Sequence, residues 1–75
     1  MSVVIFNLAK HESQQIAWRS TIAFSMVSWL RNRGLEPRQD YTWHLDSEKN
    51  TLTFTFNDET ESWASMFGLY WSEYL

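Results

Sequence analysis

The sequence predicts an α+β domain: a small, mainly antiparallel sheet in the order β-α-β-β-α, with two helices packed on one face. Three observations carry that expectation. Residues 41–46 and 51–56 each alternate apolar with polar side chains at period two, on either side of a short turn. A long stretch before them and a shorter one after them repeat apolar residues at spacings of three and four, the signature of amphipathic helices. With 75 residues, 44% of them apolar, two Gly and one Pro, the chain has the composition of one folded domain spanning 1–75 rather than of a disordered tail.

Val3-Val4-Ile5-Phe6 is a β-branched and aromatic run, too brief for its period to be read, and is expected to be a buried strand. If it paired in parallel with a neighbour, the crossover after it would be right-handed. The strongest helix runs from about Ser13 to Arg33. Ile16, Ala23, Val27 and Leu30 fall on one line, flanked by Ala17 and Phe24 on one side and Met26 on the other. Trp18, Ile22 and Trp29 make a second apolar line, and Thr21, Ser25, Ser28 and Asn32 the polar stripe. Asn7 and Ser13 both suit the N-cap. At the other end, Arg31 and Arg33 complement the negative helix terminus, and Gly34 can take the left-handed position beyond it. Leu35 is then set to touch Leu30, and Pro37 prevents continuation.

In the hairpin, Tyr41, Trp43, Leu45, Leu52, Phe54 and Phe56 define an apolar face, with Thr42, His44, Asp46, Thr51, Thr53 and Thr55 on the polar one. Ser47-Glu48-Lys49-Asn50 is a turn in which Asn50 takes the left-handed position. Asp58 with Glu61 three residues on reads as a variant capping box for the last helix. There Trp63, Met66, Phe67, Tyr70, Trp71 and Tyr74 share a face, and Ser62, Ser65, Ser72 and Glu73 lie opposite. Gly68, in mid-helix, costs about 1 kcal/mol against Ala and hints that something passes close to it.

Several function classes find no support in the residues. The two His do not form a catalytic set: His11 precedes the first helix, and His44 shares a strand face with Asp46 but has no nucleophile in a strained turn. No Cys occurs, which excludes disulfides and thiolate metal sites and fits a reducing compartment. His and carboxylates lack metal-ligand spacing, so no catalytic, metal or cofactor residue is assigned, and the chain is expected not to be an enzyme. The opening residues lack a basic segment followed by a long apolar one, and Ile16–Leu30 is shorter than the ~20 residues a membrane span needs; a cytoplasmic protein off the membrane is expected.

Charge is uneven. The formal net charge is −3, yet residues 1–38 carry five Lys or Arg against two Glu, whereas 39–75 carry one Lys against seven Asp or Glu. Arg31, Arg33 and Arg38 near Trp29 are the alternative nucleic-acid site, but the acidic balance disfavours that use, and the helix terminus with Glu36 or Asp40 accounts for them.

What remains is an aromatic surplus: five Trp, three Tyr and five Phe. Large rings carry much of the energy at protein interfaces, and one small core can hide only some of them. The expected function is a non-catalytic protein-interaction module that binds and modulates or inhibits a larger cytosolic protein, as a small phage or mobile-element protein acting on host machinery would. Trp18, Trp29, Trp63, Tyr70 and Trp71 are its candidate protein-binding residues. A homodimeric accessory protein, joined by the same stripes or by sheet extension, is the alternative.

Overall fold

A computed structural model describes the backbone of residues 1–8 and 16–75, and the side chains of all of these except 16–19. The elements are β1 (Ser2–Asn7), α1 (Ile16–Arg31), β2 (Tyr41–Asp46), β3 (Thr51–Phe56) and α2 (Ser62–Tyr70), followed by a 3-10 turn at Ser72–Tyr74. This is the expected β-α-β-β-α order. The start of the first helix at Ser13, the His11-Glu12 pair and the side chain of Trp18 lie outside the described residues.

The sheet has the order β1-β3-β2, and β3 pairs antiparallel with both neighbours. β1 and β2 therefore run parallel to each other with β3 between them, and α1 is the crossover that joins them. Register assigns the faces. Val4, Phe54 and Trp43 lie in one row, and Phe6, Leu52 and Leu45 in the next, on the core side. Val3, Thr55 and Thr42, then Ile5, Thr53 and His44, line the other side. Burial follows the rows: Phe6, Leu52, Phe54 and Phe56 are fully buried, whereas Thr42 and His44 are exposed. The expectation of a buried first strand is corrected here. β1 is an edge strand whose Val3 and Ile5 project from the open face, more than half exposed.

Both helices cover the core face. Phe67 of α2 is the hub, with its ring edge-on to Phe54 at 4.7 Å and to Phe6 at 5.4 Å. From α1, Ala23, Met26, Val27, Trp29 and Leu30 enter the same cluster. The four buried Phe make edge contacts because the negative face of one ring attracts the positive rim of another.

The end of α1 forms as expected. Gly34 has φ +84°, its N–H donates to the Arg31 carbonyl, and the Leu35 N–H donates to the Leu30 carbonyl at 3.1 Å. Those two bonds are the Schellman pattern, and buried Leu35 closes it against Leu30. Asn50 takes φ +54°, and the carboxylate of Asp46 accepts the Glu48 and Lys49 N–H groups across the turn.

The start of α2 differs from expectation. Asp58 does not cap it, and Glu61, at the cap position, has helical φ/ψ and makes no side-chain cap bond. Both carboxylates instead reach the Met1 amine, at 2.6 and 2.9 Å, which holds the Asp58 carboxyl below its usual range. The turn is built by Asn57. Its Oδ1 accepts the N–H groups of Glu59 and Thr60, and its Nδ2 donates to the Gln39 carbonyl. An amide can accept and donate at once, so one Asn ties the entry of α2 to the loop before β2; a carboxylate could not.

Candidate functional site

Where the C-terminal end of α2 meets the outer side of α1, the two helices leave a groove of about 540 Å³. Its described lining is Thr21, Phe24, Ser25, Ser28, Trp29 and Asn32 from α1 and its end, with Tyr70 and Trp71 opposite. None of these side chains is charged. One wall is thus the polar stripe of α1, and the remainder is aromatic.

The rings are mutually supported. Trp29 is buried, with its ring 5.7 Å from that of Phe67 and 5.1 Å from that of Tyr70. Tyr70 meets Trp71 edge-on at 5.2 Å, and Trp71 packs against buried Tyr74. The guanidinium of Arg33 lies 3.6 Å from the Trp29 ring centroid, and its Nη1 donates to the Trp29 carbonyl at 3.0 Å. A cation over an indole face is attracted by the ring quadrupole, so this arginine clamps the tryptophan that floors the groove. Over that floor stand Phe24 and Tyr70, 64% and 62% exposed. The indole N–H groups of Trp29 and Trp71 are buried without a hydrogen-bond partner among the described residues.

The five aromatic candidates fare differently. Trp29, Tyr70 and Trp71 come together in this groove, but Trp29 is a buried support and not an exposed anchor. Trp63 is half-buried against the core and is absent from the groove lining. Trp18 lies outside the described side chains. Phe24 was expected to flank the core line of α1 and instead faces outward. The signal for it is in the spacing: Phe24 follows Thr21 by three residues and precedes Ser28 by four, which puts it on the polar stripe.

The arginines at the end of α1 have local partners. Arg31 approaches the Glu36 carboxylate at 3.6 Å, and Arg33 is held on Trp29. Arg38 is exposed in the loop before β2, with φ +74°. His44 is exposed on the open sheet face, and the Asp46 beside it is engaged by the turn. Among the described residues, no group of three His, Asp or Glu is placed to hold a metal ion, and no helix is long and apolar enough to cross a membrane. Compared with protein families, curated proteins and solved structures, the chain matches none.

Proposed function

We propose that the chain is a non-catalytic protein-interaction module whose docking site is the groove between α1 and α2. The observation that carries this is the pair Phe24 and Tyr70, two large rings left exposed over a floor of Trp29 and Trp71. Exposed aromatics over a rigid, desolvated base are the usual anchors of a protein interface. The chemistry selects the partner. An uncharged lining favours an apolar side chain laid on Phe24 and Tyr70, while Ser25, Ser28 and Asn32 supply hydrogen bonds to its main chain.

The acidic C-terminal half would orient the encounter and raise the on-rate toward a basic partner surface. The partner is a larger cytosolic protein that is modulated or inhibited by docking, the role of a small phage or mobile-element protein acting on host machinery. The test is capture of a protein from cytosolic lysate, with and without nuclease, by the tagged chain, compared with a Phe24→Ala/Tyr70→Ala variant verified as folded by circular dichroism. A partner lost with the variant supports the reading. A partner retained by it, or capture that disappears with nuclease, removes the reading.

A further inference from the structure

A second surface, remote from the aromatic groove in its residues, is the free edge of β1. The Leu8 N–H donates to the Asn50 carbonyl at 2.8 Å, in the same register as the β1–β3 ladder. In an antiparallel ladder, bonded pairs alternate with unbonded ones, so Phe6, Val4 and Ser2 turn their backbone groups toward β3. Val3 and Ile5 turn theirs away. The same parity holds on the far side of β3, where Asn57 donates to Asp40, and it directs the Tyr41 carbonyl outward, where the Arg38 N–H caps it. The β2 edge is thus covered at that end by its own loop. Among the described residues, no backbone group bonds the outward N–H and C=O groups of Val3 and Ile5.

Such an edge is normally blunted by a charge, a proline or a bulge. β1 has none of these: its sequence is Ser-Val-Val-Ile-Phe-Asn, and its register is unbroken over six pairs. Beside it lies a groove of about 530 Å³ against α2, with described lining that includes Val4, Ala64, Gly68, Leu69 and Leu75 and no charged side chain. Leu69 is 76% exposed there.

We propose that the occupant of this edge is β1 of a second copy, paired antiparallel so that Val3 of each copy bonds Ile5 of the other. Bonded partners must both be residues that face outward, and this register satisfies that while a two-fold axis passes between the two Val4 residues. The sheet then runs to six strands. Val3 and Ile5 of both copies cover one another on the open face, and on the helix side the two Val4 residues meet beside the two grooves. The edge and the described lining of its groove carry no charged side chain, so the charges of a charged peptide would be desolvated there without partners. A second copy instead brings a matching apolar edge whose Val3 and Ile5 cover their counterparts.

Sedimentation equilibrium of the full chain over a wide concentration range is the test. A molar mass rising toward twice the 9.0 kDa monomer is expected. Ile5→Lys puts a charge on the exposed face of the edge, and Val3→Pro removes an outward N–H without touching the β3 ladder. Each should weaken the dimer at least about tenfold while circular dichroism is retained. Val4→Cys, in a chain that otherwise lacks Cys, should form an intermolecular disulfide much faster than Thr42→Cys on the opposite edge. Phe24→Ala/Tyr70→Ala should leave the dimer intact, so this surface and the docking groove stand or fall separately. A wild-type chain that stays monomeric throughout overturns the proposal. So does a dimer that both edge variants preserve.

Discussion

The ring of Tyr70 stands 5.1 Å from that of Trp29, centroid to centroid, so an exposed aromatic on α2 rests on a buried one from α1. That contact decides which rings can meet a partner and which hold the domain together. Tyr70 spends only part of its surface on the fold, and Trp29 spends nearly all of it.

The two classes of ring should separate on substitution. Trp29→Ala empties a buried site next to Phe67 and is expected to cost about 3–5 kcal/mol, enough to unfold a domain of this size. Phe24→Ala and Tyr70→Ala should cost no more than about 1 kcal/mol each and reduce partner capture at least tenfold. Thermal denaturation of the three variants, followed by capture with those that fold, measures both effects.

Tyr41 gives the domain an alkaline limit. Its ring packs between Phe54 and Phe56, its hydroxyl is buried without a partner among the described residues, and burial pushes its pKa up from 10 to about 12. Because the folded state favours the protonated phenol, the stability linked to Tyr41 is complete below pH 10. It is lost as the pH rises from 10 through about 12, by an amount on the order of 2 kcal/mol. Tyr41→Phe should flatten that fall in urea denaturation series across this range. At neutral pH it should be neutral or mildly stabilising, since it removes an unsatisfied buried group.

The two glycines should respond with opposite signs. At Gly34, φ of +84° makes any L side chain strained although space is open around it, so Gly34→Ala is expected to cost about 1 kcal/mol. At Gly68, a Cβ would meet Val4 Cγ1 at 3.8 Å, an ordinary contact, so Gly68→Ala should stabilise by up to about 1 kcal/mol through helix propensity. Melting temperatures of the pair decide it.

Asn57 is the residue on which the start of α2 depends. Asn57→Ala removes two accepted N–H bonds and the tie to Gln39, and should cost about 1–2 kcal/mol. Asn57→Asp keeps the acceptor and loses the donor, so its cost should fall between wild type and Ala. Chemical denaturation of both variants provides the comparison.

How much could be read from the chain itself follows from the range of each interaction. The hairpin was legible because period-two alternation over 41–46 and 51–56 leaves one pairing that buries the Phe and Leu side chains together. The end of α1 was legible because Gly34, Leu35 and Pro37 act within a few residues of one another. At the start of α2 the local pattern pointed to Asp58 and Glu61, whereas the turn is built by Asn57, whose amide N–H donates to the carbonyl of Gln39, eighteen residues away in sequence.

The aromatic surplus shows the same division. Composition alone determined that this domain is rich in large rings, and the periodic spacing of the helices determined which of their rings share a line. Only tertiary packing decided that Trp29 is buried while Phe24 and Tyr70 are exposed, because that depends on how α2 crosses α1 over Phe67. Likewise the β-branched and aromatic residues of Val3-Val4-Ile5-Phe6 favoured a strand, whereas its place at an edge was set by the β1-β3-β2 order. Side-chain preference is local, but the choice between the centre and the edge of a sheet belongs to strands far apart in sequence.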